Sequence, residues 1–429
     1  MTIAAQIGRA RTLFEKGDFL PILALVIAVQ GTVLISQSGA ALFLDPVAIG
    51  KIRLFESVIS IGVLVAGFGA PALAIREMAA HPNTALRAEL LRDLLLLPLL
   101  GAAVLGVLAL VGALLEAKWI LPARDVLLAS ALLLVAVNLV RLASAVSQGL
   151  LIVRHIYGWV IVGSLLAAAL QVAGAAFGTL PSWIAGRLIG EIVLLACILF
   201  AMRGNFPGVA WRQFPRIRAL LTTMSRATIV NIGLIIRMVA DAAPILLLGG
   251  LVAGIAPQAS GLDMGHFGVA TLFLTAALLP ISVVAQRTLP LITAASGNVQ
   301  DAIMRLFRRR MMMLGFAIAG IIAAAAMGLR LFDNGRLDAG LVAAAVLMLS
   351  IPFKAVASAY GTTMLAKGEL GWPVWITFAE LVLITGVMAT SSMIEPLWKA
   401  VLAVIAGSVL SMVAFSLFSW PPERKGHNR

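Results

Sequence analysis

The segment Asp45-Pro46-x-x-x-Gly50-x-x-x-Leu54-Phe55 returns 218 residues later as Asp263-Met264-x-x-x-Gly268-x-x-x-Leu272-Phe273, and Arg92 falls on Arg310 with the same shift. A second register, 213 residues, carries Arg141, Arg154, Gly158 and Trp159 onto Lys354, Lys367, Gly371 and Trp372. Two registers so close together, each with several matches, argue for one structural half of about 215 residues used twice. The chain must then fold as two similar lobes.

What those lobes are made of follows from composition. Of 429 residues, 61% are apolar and only 12% are charged, and the mean hydropathy is +1.05. Soluble domains carry roughly 25% charged residues. Unbroken apolar runs of this kind suit a bilayer, whose hydrocarbon core takes about 20 helical residues to cross. A lone Cys197 excludes a disulfide framework or a cysteine metal site, and four scattered histidines show no zinc spacing. No metal or cofactor is expected.

The apolar runs predict an all-α polytopic membrane protein of about 12 transmembrane helices in two six-helix lobes related by a parallel repeat. The first six runs lie near 19–42, 54–75, 94–115, 126–153, 159–178 and 183–202, and the second six near 229–252, 267–285, 311–329, 341–366, 372–390 and 397–420. The expected organisation is an N-terminal segment (1–18), an N-lobe (19–202), a linker (203–228), a C-lobe (229–420) and a tail (421–429). Residues 1–18 are polar and basic, so no cleaved signal peptide is expected. Ile3, Ile7, Leu13 and Phe14 allow that segment to lie on the membrane surface, or it is a solvated tail. The linker, with Pro207, Gly208 and Pro215 among arginines, reads as a surface hinge or a plain tether.

Charge is distributed unevenly between the two sides. Loops on the side of both termini hold 21 of the 32 Lys/Arg; the opposite loops hold seven, namely Lys51, Arg53, Lys118, Arg124, Arg330, Arg336 and Lys399. The positive-inside rule then places both termini in the cytoplasm of a multi-pass inner-membrane protein. Most of the net charge of +13 thus reports topology and attraction to lipid headgroups, not a nucleic-acid partner. The short connections leave no room for a soluble catalytic module, so no enzyme is expected.

The remaining basic residues, Arg141, Arg187, Arg237 and Lys354, fall within spans, as do or nearly do Glu56, Glu191, Asp241 and Glu380. A charge at mid-bilayer costs about 2.5–3.5 kcal/mol on insertion scales, so each should face a partner or a wet cavity. Arg141 and Lys354 occupy repeat-equivalent mid-span positions. Asn138, Arg141, Ser144 and Gln148 share one side of the fourth helix, and Ser350, Lys354, Ser358 and Gly361 share one side of the tenth. A cavity face fits this pattern; snorkelling or a bond to a facing carbonyl is the alternative. Arg187/Glu191 and Arg237/Asp241 each stand four apart, as self-neutralising pairs or functional ones. Glu380 either pairs with Lys354 or carries a coupling proton. Glu56, near the end of its helix, reads as wet. Gly31, Gly62, Gly67, Gly69, Gly249 and Gly250 read as sites of close helix packing.

The stretch Leu44-Asp45-Pro46-Val47-Ala48-Ile49-Gly50, through Leu54-Phe55-Glu56-Ser57 to Gly67-Phe68-Gly69-Ala70-Pro71-Ala72-Leu73-Ala74-Ile75-Arg76-Glu77, resembles the opening of Wzx-type polysaccharide flippases. These belong to the multidrug/oligosaccharidyl-lipid/polysaccharide exporter superfamily. The resemblance implies a flippase that moves undecaprenyl-pyrophosphate-linked oligosaccharide from the cytoplasmic to the periplasmic leaflet for O-antigen, capsule or exopolysaccharide synthesis. Arg141, Arg237, Lys354 and Arg187 would hold the anionic head, while Asn138, Gln148 and Ser358 would bond sugars. Asp241, Glu191 or Glu380 would couple ions. A polysaccharide polymerase and a chain-length regulator are the implied protein partners. A drug antiporter and a peptidoglycan-precursor flippase of the same superfamily are the alternatives.

Overall fold

The computed structural model describes residues 19–71, 73–74, 78, 84–114, 124–150, 153–203, 217–249, 261–294, 297–366, 371–390 and 394–418. The N-terminal segment, residues 204–216 of the linker, Lys118, Lys367 and the tail lie outside the described residues. The N-lobe comprises α1 (Phe19–Phe43), α2 (Pro46–Gly67), α3 (Thr84–Leu114), α4 (Arg124–Gly149), α5 (Val153–Ala176) and α6 (Leu180–Met202). The C-lobe comprises α7 (Ile217–Leu248), α8 (Gly261–Ala294), α9 (Gly297–Arg330), α10 (Asp338–Leu347), α11 (Ile351–Ala366), α12 (Gly371–Ala389) and α13 (Pro396–Phe418). A 3-10 turn at Met348–Ser350 joins α10 to α11 as one rod, and Pro352 follows it, where a missing N–H favours a tightened turn. Counted so, the described helices form twelve rods, as expected. The start of α7 at Ile217 makes the last part of the expected linker helical and continuous with the seventh span.

Local chemistry sets several of the helix ends. Asp45 caps α2 by accepting the Ala48 N–H at 2.6 Å, and Pro46 occupies the first turn, where its absent N–H costs nothing. Thr179 caps α6 in the same way, through Ser182. At the other end of α2 the chain turns through Phe68 and Gly69, both at positive φ (46° and 77°).

The duplicated sequence produces duplicated packing. In the N-lobe the main helix pairs are α1 with α5, α5 with α6, α4 with α6, α3 with α4, α2 with α4 and α2 with α3. In the C-lobe the counterparts recur: α7 with α12, α12 with α13, α11 with α13, α9 with α11, α8 with α11 and α8 with α9. Trp159 and Trp372, equivalent in sequence, each meet a phenylalanine of the next helix, Phe200 at 5.0 Å and Phe418 at 4.1 Å between ring centroids.

Among the described residues, nine helices are long and apolar enough to cross a membrane. Their outward faces are as apolar as their buried ones, with Val104, Leu108, Leu165, Ile192, Ile321, Val382 and Leu417 all exposed. A surface of that kind belongs in lipid rather than in water. α2 is less apolar because it carries Lys51, Arg53 and Glu56 within two turns. This corrects the sequence-based loop assignment: Lys51 and Arg53 are helical, and Arg53 points into the molecule. Lys399 was also expected in a loop. It lies inside α13, only 2% exposed, and donates to the Thr390 carbonyl at 2.8 Å. Arg92 is buried in α3, not looped out, and bonds Asp93.

The lobes meet along α2 and α8, the two copies of the opening motif, flanked by α7 against α2 and α1 against α8. A Cβ on Gly50 would lie 2.7 Å from the Gly265 backbone nitrogen, and one on Gly265 would lie 2.1 Å from the Pro46 carbonyl. Only hydrogen fits there, so the helices cross backbone to backbone. Gly50 and Gly268, repeat equivalents, face each other at this crossing. Arg53 bonds Thr271, its own repeat equivalent, at 3.0 Å; it also reaches Thr275 at 3.4 Å and Gln37 of α1. Asn231 of α7 donates to the Leu64 carbonyl of α2 at 2.6 Å, a further bond between lobes. Gly62 against Leu134, Gly67 against Asn138 and Gly249 against Leu54 bear out the expected packing role of those glycines, whereas Gly69 makes a turn.

Candidate functional site

Among the described residues, each lobe holds a cluster of charges around the repeated basic position on its fourth rod, Arg141 or Lys354. In the C-lobe, Arg237 of α7 donates to Asp241 one turn on and to Glu380 of α12, both at 3.1 Å. Lys354 of α11 donates to Asp241 at 2.9 Å and stands 3.9 Å from Glu380. Ser411 of α13 donates a further bond to Glu380. Two cations and two carboxylates from three helices therefore close a ring. Sequence reading left Glu380 between a partner and a proton carrier; the geometry gives it both cations and a hydroxyl. The Lys354 and Glu380 side chains are buried at 5% and 1% exposure, while Arg237 and Asp241 remain open at 34% and 38%.

The N-lobe cluster is differently wired. Arg187 of α6 donates to Glu56 of α2 at 2.8 Å and to Glu191 one turn along its own helix. All three side chains are under 10% exposed. Glu56, expected to be wet, is thus buried in an ion pair, because α2 places it 131 residues away from its partner in sequence but against it in space. Arg141 of α4 stands within electrostatic reach of Glu191, Arg187 and Glu56. It is half-buried and makes no hydrogen bond among the described residues. The equivalent lysine, Lys354, is fully engaged; Arg141 keeps its donors free.

The polar residues expected beside these charges divide. Asn138 is buried and bonds the Leu134 carbonyl at 3.0 Å, its own carbonyl oxygen having no partner among the described residues. The Ser144 hydroxyl is likewise buried and unpartnered, and Ser350 is turned back onto Leu347. Gln148 and Ser358 are half-buried. Sequence reasoning missed Arg53, Gln37 and Ser411, since none has a partner nearby in the chain. It also missed a buried polar seam between α1 and α5, where Thr32 bonds the Ser164 carbonyl at 3.2 Å and Ser36 and Gln171 carry orphan groups. Among the described residues no group of histidine, cysteine and carboxylates could hold a metal ion.

Two six-helix lobes in this arrangement correspond to a known architecture. The molecule superposes with TM-score 0.72 on an inward-facing multidrug resistance MATE family transporter of the MOP superfamily, at 16% identity over 93% of this chain and 97% of that one. The chain has the MATE-type fold. An outward-facing conformation of such a transporter matches with TM-score 0.62 at 15% identity, over 94% of this chain and 93% of that one. A MOP superfamily transporter from Pyrococcus furiosus, described as having a binding pocket of reverse polarity that suggests a different function, matches with TM-score 0.64 at 16% identity over 94% and 93%. No family model and no curated protein matches the sequence. Likeness at this identity speaks for the MATE-type fold and its multi-pass architecture alone.

Proposed function

We propose that this protein is a flippase for an anionic lipid-linked oligosaccharide, of the undecaprenyl-pyrophosphate type, working by alternating access between its lobes. The supporting observation is Arg141: a guanidinium in mid-span, half-buried, with no hydrogen bond among the described residues. A cation held in that state within a membrane protein is set to receive an anion, and a fork of donors suits a phosphate. Arg237 and Lys354 are neutralised by Asp241 and Glu380 in this conformation, so they contribute when the ring opens. Arg187 is locked between two glutamates and supports Arg141 by holding them. The half-buried Gln148 and Ser358 lie on faces that would meet sugars, whereas Asn138 is buried in this conformation. The lipid tail stays in the bilayer at the seam between lobes.

The ring also supplies a route for coupling. Protonation of Asp241 or Glu380 would release Arg237 and Lys354 toward the substrate, so binding and proton uptake support each other. Glu191, sealed with Arg187, takes no part in that exchange. A drug antiporter is the competing reading, drawing on the exposed Asp241 carboxylate and on the fold neighbours. A deletion strain separates the two. Accumulation of lipid-linked oligosaccharide with loss of surface polymer supports the flippase, restored by wild type and not by Arg141→Ala. Unchanged pools with new sensitivity to cationic drugs would establish the antiporter instead. The inner membrane, cytoplasmic termini, polymerase and chain-length regulator belong to the same reading.

A further inference from the structure

α9 carries four arginines in six residues, Arg305, Arg308, Arg309 and Arg310, immediately before its apolar stretch begins at Met311. Three of them are exposed, and next to them Leu306, Met312, Met313 and Phe316 are exposed at 45–59%. The patch therefore sits at the depth where helix passes from headgroups into hydrocarbon. Arg308 differs from its neighbours. Its guanidinium lies over the Tyr360 ring of α11 at 4.1 Å, donates to Thr363 at 3.4 Å, and keeps a buried Nε that has no hydrogen-bond partner among the described residues. A side chain normally free in water is here held in a groove between two helices, with its face fixed.

The opposite lobe shows what the repeat does without this device. Arg87 and Arg92 are the counterparts of Arg305 and Arg310, but Leu90 and Leu91 stand where Arg308 and Arg309 do. Arg92 is buried and bonds Asp93, so its charge is answered within α3. On α9 the acidic residue of that region is Asp301, a full two turns from Arg308. Topology alone would ask for positive charge on both lobes; it would not ask for a stacked, pre-oriented arginine on one.

We propose that the α9–α11 groove is a docking site for the phosphate of an anionic phospholipid in the surrounding leaflet, with Arg308 as its fixed anchor. Arg305 and Arg309 supply further charge, and the exposed Leu306, Met313 and Phe316 receive the acyl chains. Each arginine near such a surface is worth about a fivefold preference for anionic over neutral lipid. Bound lipid would brace the cytoplasmic-type boundary of one lobe only.

The test uses the full-length protein in phosphatidylcholine vesicles containing spin-labelled phosphatidylglycerol or spin-labelled phosphatidylcholine, reading the immobilised lipid fraction. Wild type should prefer phosphatidylglycerol, and the Arg305/Arg308/Arg309/Arg310→Gln variant should lose at least about tenfold of that preference. Arg308→Gln and Tyr360→Leu leave the other charges in place and guard against failed insertion; each should lose a few-fold. Arg87→Gln should change little. Equal loss from Arg87→Gln and Arg308→Gln would reduce the effect to general surface charge and overturn the site. So would displacement of the lipid by millimolar inorganic phosphate but not by chloride at equal ionic strength, which would assign the groove to a free anion.

Discussion

The two lobes share a fold and a repeated basic position, yet their charge clusters are solved in opposite ways. In the N-lobe, Arg187 is clamped by Glu56 and Glu191, all three sealed from solvent, and Arg141 is left over. In the C-lobe, Arg237, Lys354, Asp241 and Glu380 satisfy one another, with one edge of the ring open. Duplication conserved the place for a charge and left its counter-ions to be recruited from different helices: α2 and α6 in one lobe, α7 and α12 in the other. The sealed clamp reads as a fixed part and the open ring as a moving one.

The comparison breaks most violently at Arg187. Arg187→Ala leaves two buried carboxylates without the cation they are bonded to, which should cost about 3–5 kcal/mol. Detergent-solubilised protein should show this as lost monodisperse yield and a lowered melting temperature. Adding Glu56→Gln and Glu191→Gln should recover much of the loss, since neutral amides tolerate the site better. Gly265→Ala tests the crossing on which both lobes depend. A methyl 2.1 Å from the Pro46 carbonyl must push the helices apart, for about 1–3 kcal/mol and a shift in the inward–outward balance readable by cysteine accessibility.

Smaller stability effects distinguish the ring from the clamp. Lys354→Ala leaves Asp241 still bonded to Arg237, so stability should fall by about 1–2 kcal/mol while lipid-linked oligosaccharide accumulates as in the deletion. An equal stability loss in Lys354→Ala and Arg187→Ala would erase the distinction. The least destabilising is Arg141→Ala. With no hydrogen bond to lose among the described residues, its melting temperature should move by less than about 2 °C, although export stops. Arg141→Lys, which keeps the charge without the fork, should retain part of the export.

Much of this was legible in the chain because it is periodic or local. Runs of apolar residues predict the rods, the two registers predict the lobes, and the i, i+4 spacing predicts Arg187–Glu191 and Arg237–Asp241. Glu380 beside Lys354 could be anticipated as an unpaired charge seeking one. What escaped was long-range. Glu56 lies beside Arg187 only because α2 packs against α4 and α4 against α6, and Arg53 finds Thr271 only when the lobes have met. Counting Arg53 and Lys399 as loop residues followed from reading hydropathy alone, which cannot see that a carbonyl or hydroxyl inside the bundle waits for them.

Arg53 and Thr271 are the same position in the two copies, and they bond each other. In a dimer of identical halves, a residue on the two-fold axis must meet itself, and two arginines there would repel. Fusion of the halves into one chain lifts that constraint: one copy could become the donor and the other the acceptor. The contact is a record of why a duplicated gene can do what a symmetric pair cannot, placing a one-directional bond on an axis of symmetry.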